Sequence, residues 1–150
     1  MRFIFVDRIT KMEKEKVATG VKNLAMSEDY FEHHFPFFPV MPGVLMIEAM
    51  VQLGSWLVSY STEFKFFGLL SKLDEAKFRH SVQPGDSLEV QVEWLGRTDT
   101  SIVFQGRVLR GTEMIAQARF EDKLMGIEQD EEKASLEKLY QFLTTRFGRD

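Results

Sequence analysis

The feature that most constrains the fold is a nearly continuous apolar stretch, Gly43 to Val58, that follows a loop containing Pro36, Pro39 and Pro42. Each proline fixes its own φ near about −65° and disfavours helix at the residue before it, so we expect a stiff, non-helical loop. Pro42 suits the first turn of a helix, where its missing amide has no cost. A helix that is apolar on nearly every side is typical of a protein interior. We therefore predict a buried helix over 42–61.

Four polar residues interrupt this helix or follow it: Glu48, Gln52, Ser55 and Ser59. Their spacing of i, i+4, i+7 and i+11 places them on one stripe of the helix. A carboxylate in such a setting needs a partner or a function, because burying an unpaired charge is costly.

The segments on either side of the helix have the alternation of β-strands. We predict strands over 2–9, 15–24, 73–82 and 88–94, around 102–108 and around 114–120. Apolar and polar residues alternate at every position of segment 88–94, which is typical of a half-buried antiparallel strand. Residues 27–31 predict one turn capped by Ser27. Two strands, a buried helix and about four further strands indicate an α+β fold in which the sheet wraps around the helix.

The C-terminal segment differs from the rest of the chain. Apolar residues recur there at helical spacing, with charges between them: Leu136, Leu139, Tyr140, Leu143 and Phe147. This predicts an amphipathic helix over about 131–147 that packs on the domain or on a partner subunit. We divide the chain into a domain over 1–126 and an extension over 127–150.

Composition excludes several classes of function. The chain has no cysteine, which rules out disulfides and thiolate chemistry, and its net charge of −4 argues against nucleic-acid binding by bulk charge. Glu48 divides the longest apolar run, and the N-terminus becomes charged too soon for a signal peptide. We expect a cytoplasmic protein that needs no membrane, metal or cofactor.

His34 and Glu48 are candidates for an acid–base pair, since an imidazole can exchange a proton near neutral pH and a carboxyl group in an apolar setting can act as an acid. Gly43 lies in the first helical turn, where its N–H has no intrahelical acceptor. Its lack of a β-carbon lets a substrate carbonyl approach, which makes an oxyanion site. Gln52, one turn beyond Glu48, is able to hold the carboxyl group by a hydrogen bond.

Structural interpretations compete with this one. A histidine beside a proline-rich loop is usually structural, and a single glutamate in a helix usually marks a wet face. His33, His34 and His80 are poor metal ligands as a set, because adjacent side chains in an extended segment point in opposite directions. The residues alone leave the catalytic and structural interpretations about equally supported.

A longer motif joins these residues: His34-Phe35-Pro36-x-x-Pro39-x-x-Pro42-Gly43-Val44-Leu45-x-x-Glu48-Ala49-Met50-x-Gln52. It resembles the motif of the β-hydroxyacyl-[acyl carrier protein] dehydratases of the FabZ type. Phe5 to Arg8 resembles the first strand of that family, and 73–86 resembles its strand and turn after the helix. The resemblance covers roughly residues 3–122.

The resemblance implies a hotdog fold, a homodimer that a trimer of dimers extends to a hexamer, and dehydration of a β-hydroxyacyl group on acyl carrier protein in fatty acid biosynthesis. By position in the motif, His34 matches the catalytic histidine and Glu48 the catalytic carboxylate from the other subunit. By the same resemblance, the Gly43 amide is expected to bind the thioester carbonyl and the Val40 carbonyl to orient the histidine ring. Gln52 is expected to hold the carboxylate.

The chain departs from the family pattern in the proline loop. His33 and Phe37 stand where the family usually has glycine, and Phe38 adds bulk. Phe37 and Phe38 are therefore expected to contact substrate and to reshape its entrance. Glu48 stands where the isomerising branch of the family has aspartate, which favours dehydration alone. A hotdog thioesterase and a non-catalytic acyl-binding subunit are the alternatives.

Overall fold

A six-stranded antiparallel sheet packs against a long helix in the computed structural model, which describes residues 3–145. The strands are β1 (Arg8–Glu13), β2 (Val17–Asn23), β3 (Phe66–Phe78), β4 (Ser87–Arg97), β5 (Ser101–Arg110) and β6 (Glu113–Gly126). The helices are α1 (Asp29–His33), α2 (Gly43–Ser61) and α3 (Asp130–Thr144). The sheet order is β1-β2-β4-β5-β6-β3. The expected α+β hotdog arrangement is confirmed.

Helix α2 contacts all six strands and carries the centre of the core, with Met50, Leu53 and Leu57 fully buried. The sheet does not enclose it, however, and Val44 remains 67% exposed. One side of α2 is therefore open in the single chain. Within 3–145, α2 is the one helix long and apolar enough to span a membrane, and its packing is that of a core helix.

The N-terminal strand lies later in the sequence than predicted. Residues 3–6 are not in the sheet, and β1 begins at Arg8, while Arg2 lies outside the described residues. The reason is a competing partner for the backbone, because the Gln52 amide on α2 accepts from Phe5 N at 2.8 Å and donates to Phe3 O at 2.8 Å. Of the apolar side chains that suggested a strand, Phe5 and Val6 are instead buried in the core.

Two smaller differences concern a cap and a strand. Helix α1 has Glu28 rather than Ser27 at its N-cap, with no side-chain cap, and Glu28 accepts from Lys22 Nζ at 2.7 Å. Strand β3 begins at Phe66 and ends at Phe78, well before Val82. Val82 is instead buried beside the proline loop, where its carbonyl accepts from Met41 N at 3.0 Å.

Helix α3 covers part of the side of α2 that the sheet leaves open. Its Tyr140 ring lies 5.9, 5.6 and 5.5 Å from the rings of Trp56, Tyr60 and Phe64, and its Leu143 is buried. Phe147, the last apolar residue predicted for this helix, lies outside the described residues. The amphipathic pattern therefore reflects packing on the chain's own domain.

Strand β3 forms one edge of the sheet and is paired on one side, with β6. Large apolar side chains along it are exposed: Phe66, Leu69, Leu70, Leu73 and Phe78. A long apolar edge of this kind is a ready template for pairing with another chain.

Candidate active site

The proline loop holds the His34 ring in a defined orientation. His34 follows the end of α1, where its amide donates to Tyr30 O at 3.1 Å, and Phe35 turns the chain with a φ of 52°. Ring atom Nδ1 lies 3.2 Å from Val40 O. Because a carbonyl only accepts, this contact requires the hydrogen on Nδ1 and leaves Nε2 as the basic nitrogen of the neutral ring.

Glu48 is half-buried on α2 and is held by the residue one turn further along the helix. Gln52 Nε2 donates to Glu48 Oε1 at 3.0 Å. The same amide bonds the backbone of Phe3 and Phe5, so its orientation is fixed from the N-terminal segment as well. The hydrogen bond that the sequence predicts between Gln52 and Glu48 is present.

Gly43 opens α2, with Pro42 at the N-cap. A β-carbon at Gly43 would lie 2.9 Å from two ring carbons of Phe78, so the close packing of this ring requires glycine. A cavity of about 280 Å³ adjoins this point and is lined by Val40, Met41, Gly43, Met46, Phe78, Arg79, His80 and Ser81. The first amide of the helix therefore lies beside a space that a small group is able to enter.

Phe37 and Phe38 are exposed on the proline loop, and the aromatic ring that contacts His34 is that of Phe35. Phe37 lines a separate surface hollow with Phe31, Pro36 and Pro39. Their contact with substrate stays a prediction.

His34 and Glu48 are not joined by a hydrogen bond within residues 3–145. Each has its own support, the Val40 carbonyl for the ring and the Gln52 amide for the carboxyl group. In the same part of the chain, no group of three or more His, Cys, Asp or Glu residues is placed to hold a metal ion.

A second buried carboxyl group, Asp122 on β6, is not among the residues predicted from the sequence. It is 0% exposed, and neither carboxyl oxygen has a hydrogen-bond partner in the described structure. Burial, with a smaller contribution from the charge of Glu48, raises the pKa of Asp122 to about 7. A signal was present, because Asp122 continues the inward phase of Ala118 and Phe120 along an alternating strand.

A larger cavity of about 320 Å³ lies between α2, the N-terminal segment and α3. It is lined by Phe3, Ile4, Val6, Gln52, Ser55, Trp56, Ser59, Phe67, Glu132, Leu136, Leu139 and Leu143. The polar stripe of α2 thus forms its floor, and α3 forms one wall.

Comparison with known proteins identifies the family that the chain resembles. Residues 1–119 match the family model of the FabA-like domain. A 3-hydroxyacyl-[acyl-carrier-protein] dehydratase FabZ from Desulforamulus reducens is 42% identical over 117 residues, which are 77% of this chain and 82% of that protein. The FabZ of Pelotomaculum thermopropionicum is also 42% identical, over 77% of this chain and 84% of its own length.

Solved structures share the fold at lower identity. The smu.793 protein of Streptococcus mutans bound to acetyl CoA superposes with a TM-score of 0.65 at 18% identity, covering 86% of this chain and 96% of that one. The dehydratase heterocomplex ApeI:P of Xenorhabdus doucetiae gives a TM-score of 0.57 at 22% identity, covering 76% and 91%.

Proposed function

Because this chain belongs to the FabA-like family, with FabZ-type dehydratases as relatives, we propose that it removes water from a 3-hydroxyacyl group on acyl carrier protein. The product is the trans-2-enoyl thioester, and the pathway is fatty acid biosynthesis. The observation that carries the proposal is the pair of supported groups: a histidine with its basic nitrogen free and a carboxyl group fixed by Gln52. We place this soluble hydro-lyase in the cytoplasm.

His34 and Glu48 divide the proton transfers between them. His34 Nε2 removes the proton from C2, and the electron pair left on C2 forms the new double bond as the C3–O bond breaks. Glu48 delivers a proton to the departing hydroxyl group, which leaves as water. The proton on His34 then returns to the carboxylate through solvent, which restores both groups.

The Gly43 amide stabilises the charge that develops during the first transfer. Its N–H lies in the first turn of α2, beside the cavity that adjoins Phe78. A donor there, at the positive end of a helix dipole, makes the C2 proton more acidic by stabilising the enolate-like oxygen of the thioester.

We propose that two copies of the chain build each site, with His34 of one copy facing Glu48 of the other. The apolar edge of β3 supports a homodimer, since pairing of this edge with its symmetry mate would cover Leu69, Leu70 and Leu73. The separate supports of His34 and Glu48 within one chain agree with this arrangement.

The test is incubation with 3-hydroxyacyl carrier protein of several chain lengths, followed by mass spectrometry of the intact carrier. Loss of one water is the expected result, and it should disappear in the His34→Ala variant. Release of the free acid would replace the proposal with a thioesterase. An unchanged carrier at every length would indicate a non-catalytic acyl-binding subunit.

A further inference from the structure

The cavity under α3 has the character of a binding site for a chain of methylene groups. Its walls are mostly carbon, with aromatic rings from Phe3, Trp56 and Phe67. The cavity is partly open to solvent, and its apolar lining is the environment that a chain of methylene groups requires. The volume lies at the small end of ligand pockets, which run from about 300 to 1,000 Å³.

Gln52 connects this cavity to the candidate site. Its side chain lines the cavity and also donates to Glu48 Oε1 at 3.0 Å. From Gln52 the floor continues along α2 through Ser55 and Ser59, two and three turns away from the carboxyl group. A substrate with its C3 hydroxyl at Glu48 is therefore able to extend its remaining carbons along this floor.

Helix α3 forms the wall that faces this floor. Its Leu136, Leu139 and Leu143 line the cavity, and Leu143 is buried. The helix lies beyond residue 119, where the match to the FabA-like domain ends, so this wall belongs to the present chain rather than to the family model. Glu132, which is exposed, marks the point where the cavity meets solvent.

We propose that the leucines of α3, which form one wall of this cavity, set the longest acyl chain that the protein accepts. This inference rests on the proposed dehydratase function, which supplies the occupant. Leu136, Leu139 and Leu143 are then residues that determine specificity, and the preferred substrates are of short to medium length.

The experiment compares Leu136→Phe, which fills the cavity, with Leu136→Ala, which enlarges it. The measured quantity is kcat/KM for a ten-carbon 3-hydroxyacyl carrier divided by that for a four-carbon one. We expect Leu136→Phe to lower this ratio by about tenfold or more and Leu136→Ala to raise it, since each methylene in an apolar pocket changes kcat/KM by about 10–200-fold. Ala134→Phe, on an exposed position of the same helix, is the matched control and should leave the ratio unchanged.

A second measurement does not depend on turnover. The binding constants of ten-carbon and four-carbon acyl carriers with an amide in place of the thioester are measured by calorimetry, with melting temperatures to verify that each variant is folded. Leu136→Phe should weaken the ten-carbon probe selectively. If the folded variants keep the chain-length ratio of the original protein, α3 does not set chain length, even where the dehydration itself is observed. If no carrier loses water, the dehydratase proposal fails, and the binding ratios still decide whether the cavity takes acyl chains.

Discussion

At the scale of single residues, the carboxyl group of Asp122 makes stability depend on pH. Its pKa is raised from 3.8 to about 7, chiefly by burial, so the folded state favours the protonated form. The resulting penalty is absent below about pH 4, grows between pH 4 and 7, and is constant above that range. Asp122→Asn removes it and should raise the free energy of unfolding by about 4 kcal/mol at pH 8 but little at pH 4.

Urea unfolding at the two pH values checks this prediction. Asp99→Asn, in the exposed turn between β4 and β5, is the control and should show no such difference. A destabilised Asp122→Asn variant at pH 8 would mean that the ionised carboxylate has a partner that compensates its burial.

Docking of an acidic carrier protein on this net negative chain requires a local basic surface, and we propose Arg79 as its main residue among the candidates Lys72, Lys77, Arg79 and Arg97. Lys72, Lys77 and Arg97 each lie in an ion pair, with Asp74, Glu75 and Glu15. Arg79 has no ion pair within residues 3–145, and it lines the cavity beside Gly43.

Arg79→Glu should raise KM for a carrier-bound substrate by about tenfold relative to a small thioester analogue, because complementary charge governs encounter. Lys77→Glu is the neighbouring control and should have the smaller effect. A similar rise for both substrates with Arg79→Glu would remove this residue from the docking surface.

At the scale of elements, Tyr140 helps to attach α3 to the domain. It contacts three aromatic rings of the domain, and burial raises its pKa to about 12. Aromatic pairs contribute about 0.5–1.5 kcal/mol each beyond their buried area, so Tyr140→Ala should lower the free energy of unfolding by about 3 kcal/mol. Phe142→Ala, an exposed aromatic on the same helix, should cost less. Equal losses would show that α3 is not held through Tyr140.

The sequence was most informative where one element decides the outcome. Helix α2 was predicted almost to its ends, because its proline start and apolar faces need no partner to be recognised. The Gln52–Glu48 bond followed from their spacing. The segment 3–6 was mispredicted because its backbone bonds Gln52, nearly fifty positions away, which alternation cannot reveal. The alternation along β6 places Asp122 on the inward face of the strand. Its complete burial depends on how β6 packs against α2, which alternation does not show.

At the scale of the whole molecule, the shared site makes a prediction about mixtures of inactive variants. His34→Ala and Glu48→Gln should each be nearly inactive. After subunit exchange, about half of the dimers are mixed, and each mixed dimer has one intact site, so about a quarter of all sites should recover. Activity of the mixture is the measurement. With exchange verified by mass spectrometry of differently tagged chains, activity that stays at the level of the parents would place both residues in a site within one chain.

The position of β3 in the sheet also has a consequence for synthesis on the ribosome. Strand β3 is third along the chain, yet within the sheet it pairs with β6, which is made only after β4 and β5. While β4 and β5 are being synthesised, the apolar strand therefore lacks β6, its partner in the described sheet, and translation proceeds at about 5–20 residues per second. We therefore expect the nascent protein to be most prone to aggregation during this interval, and a chaperone that shields emerging apolar segments would act there.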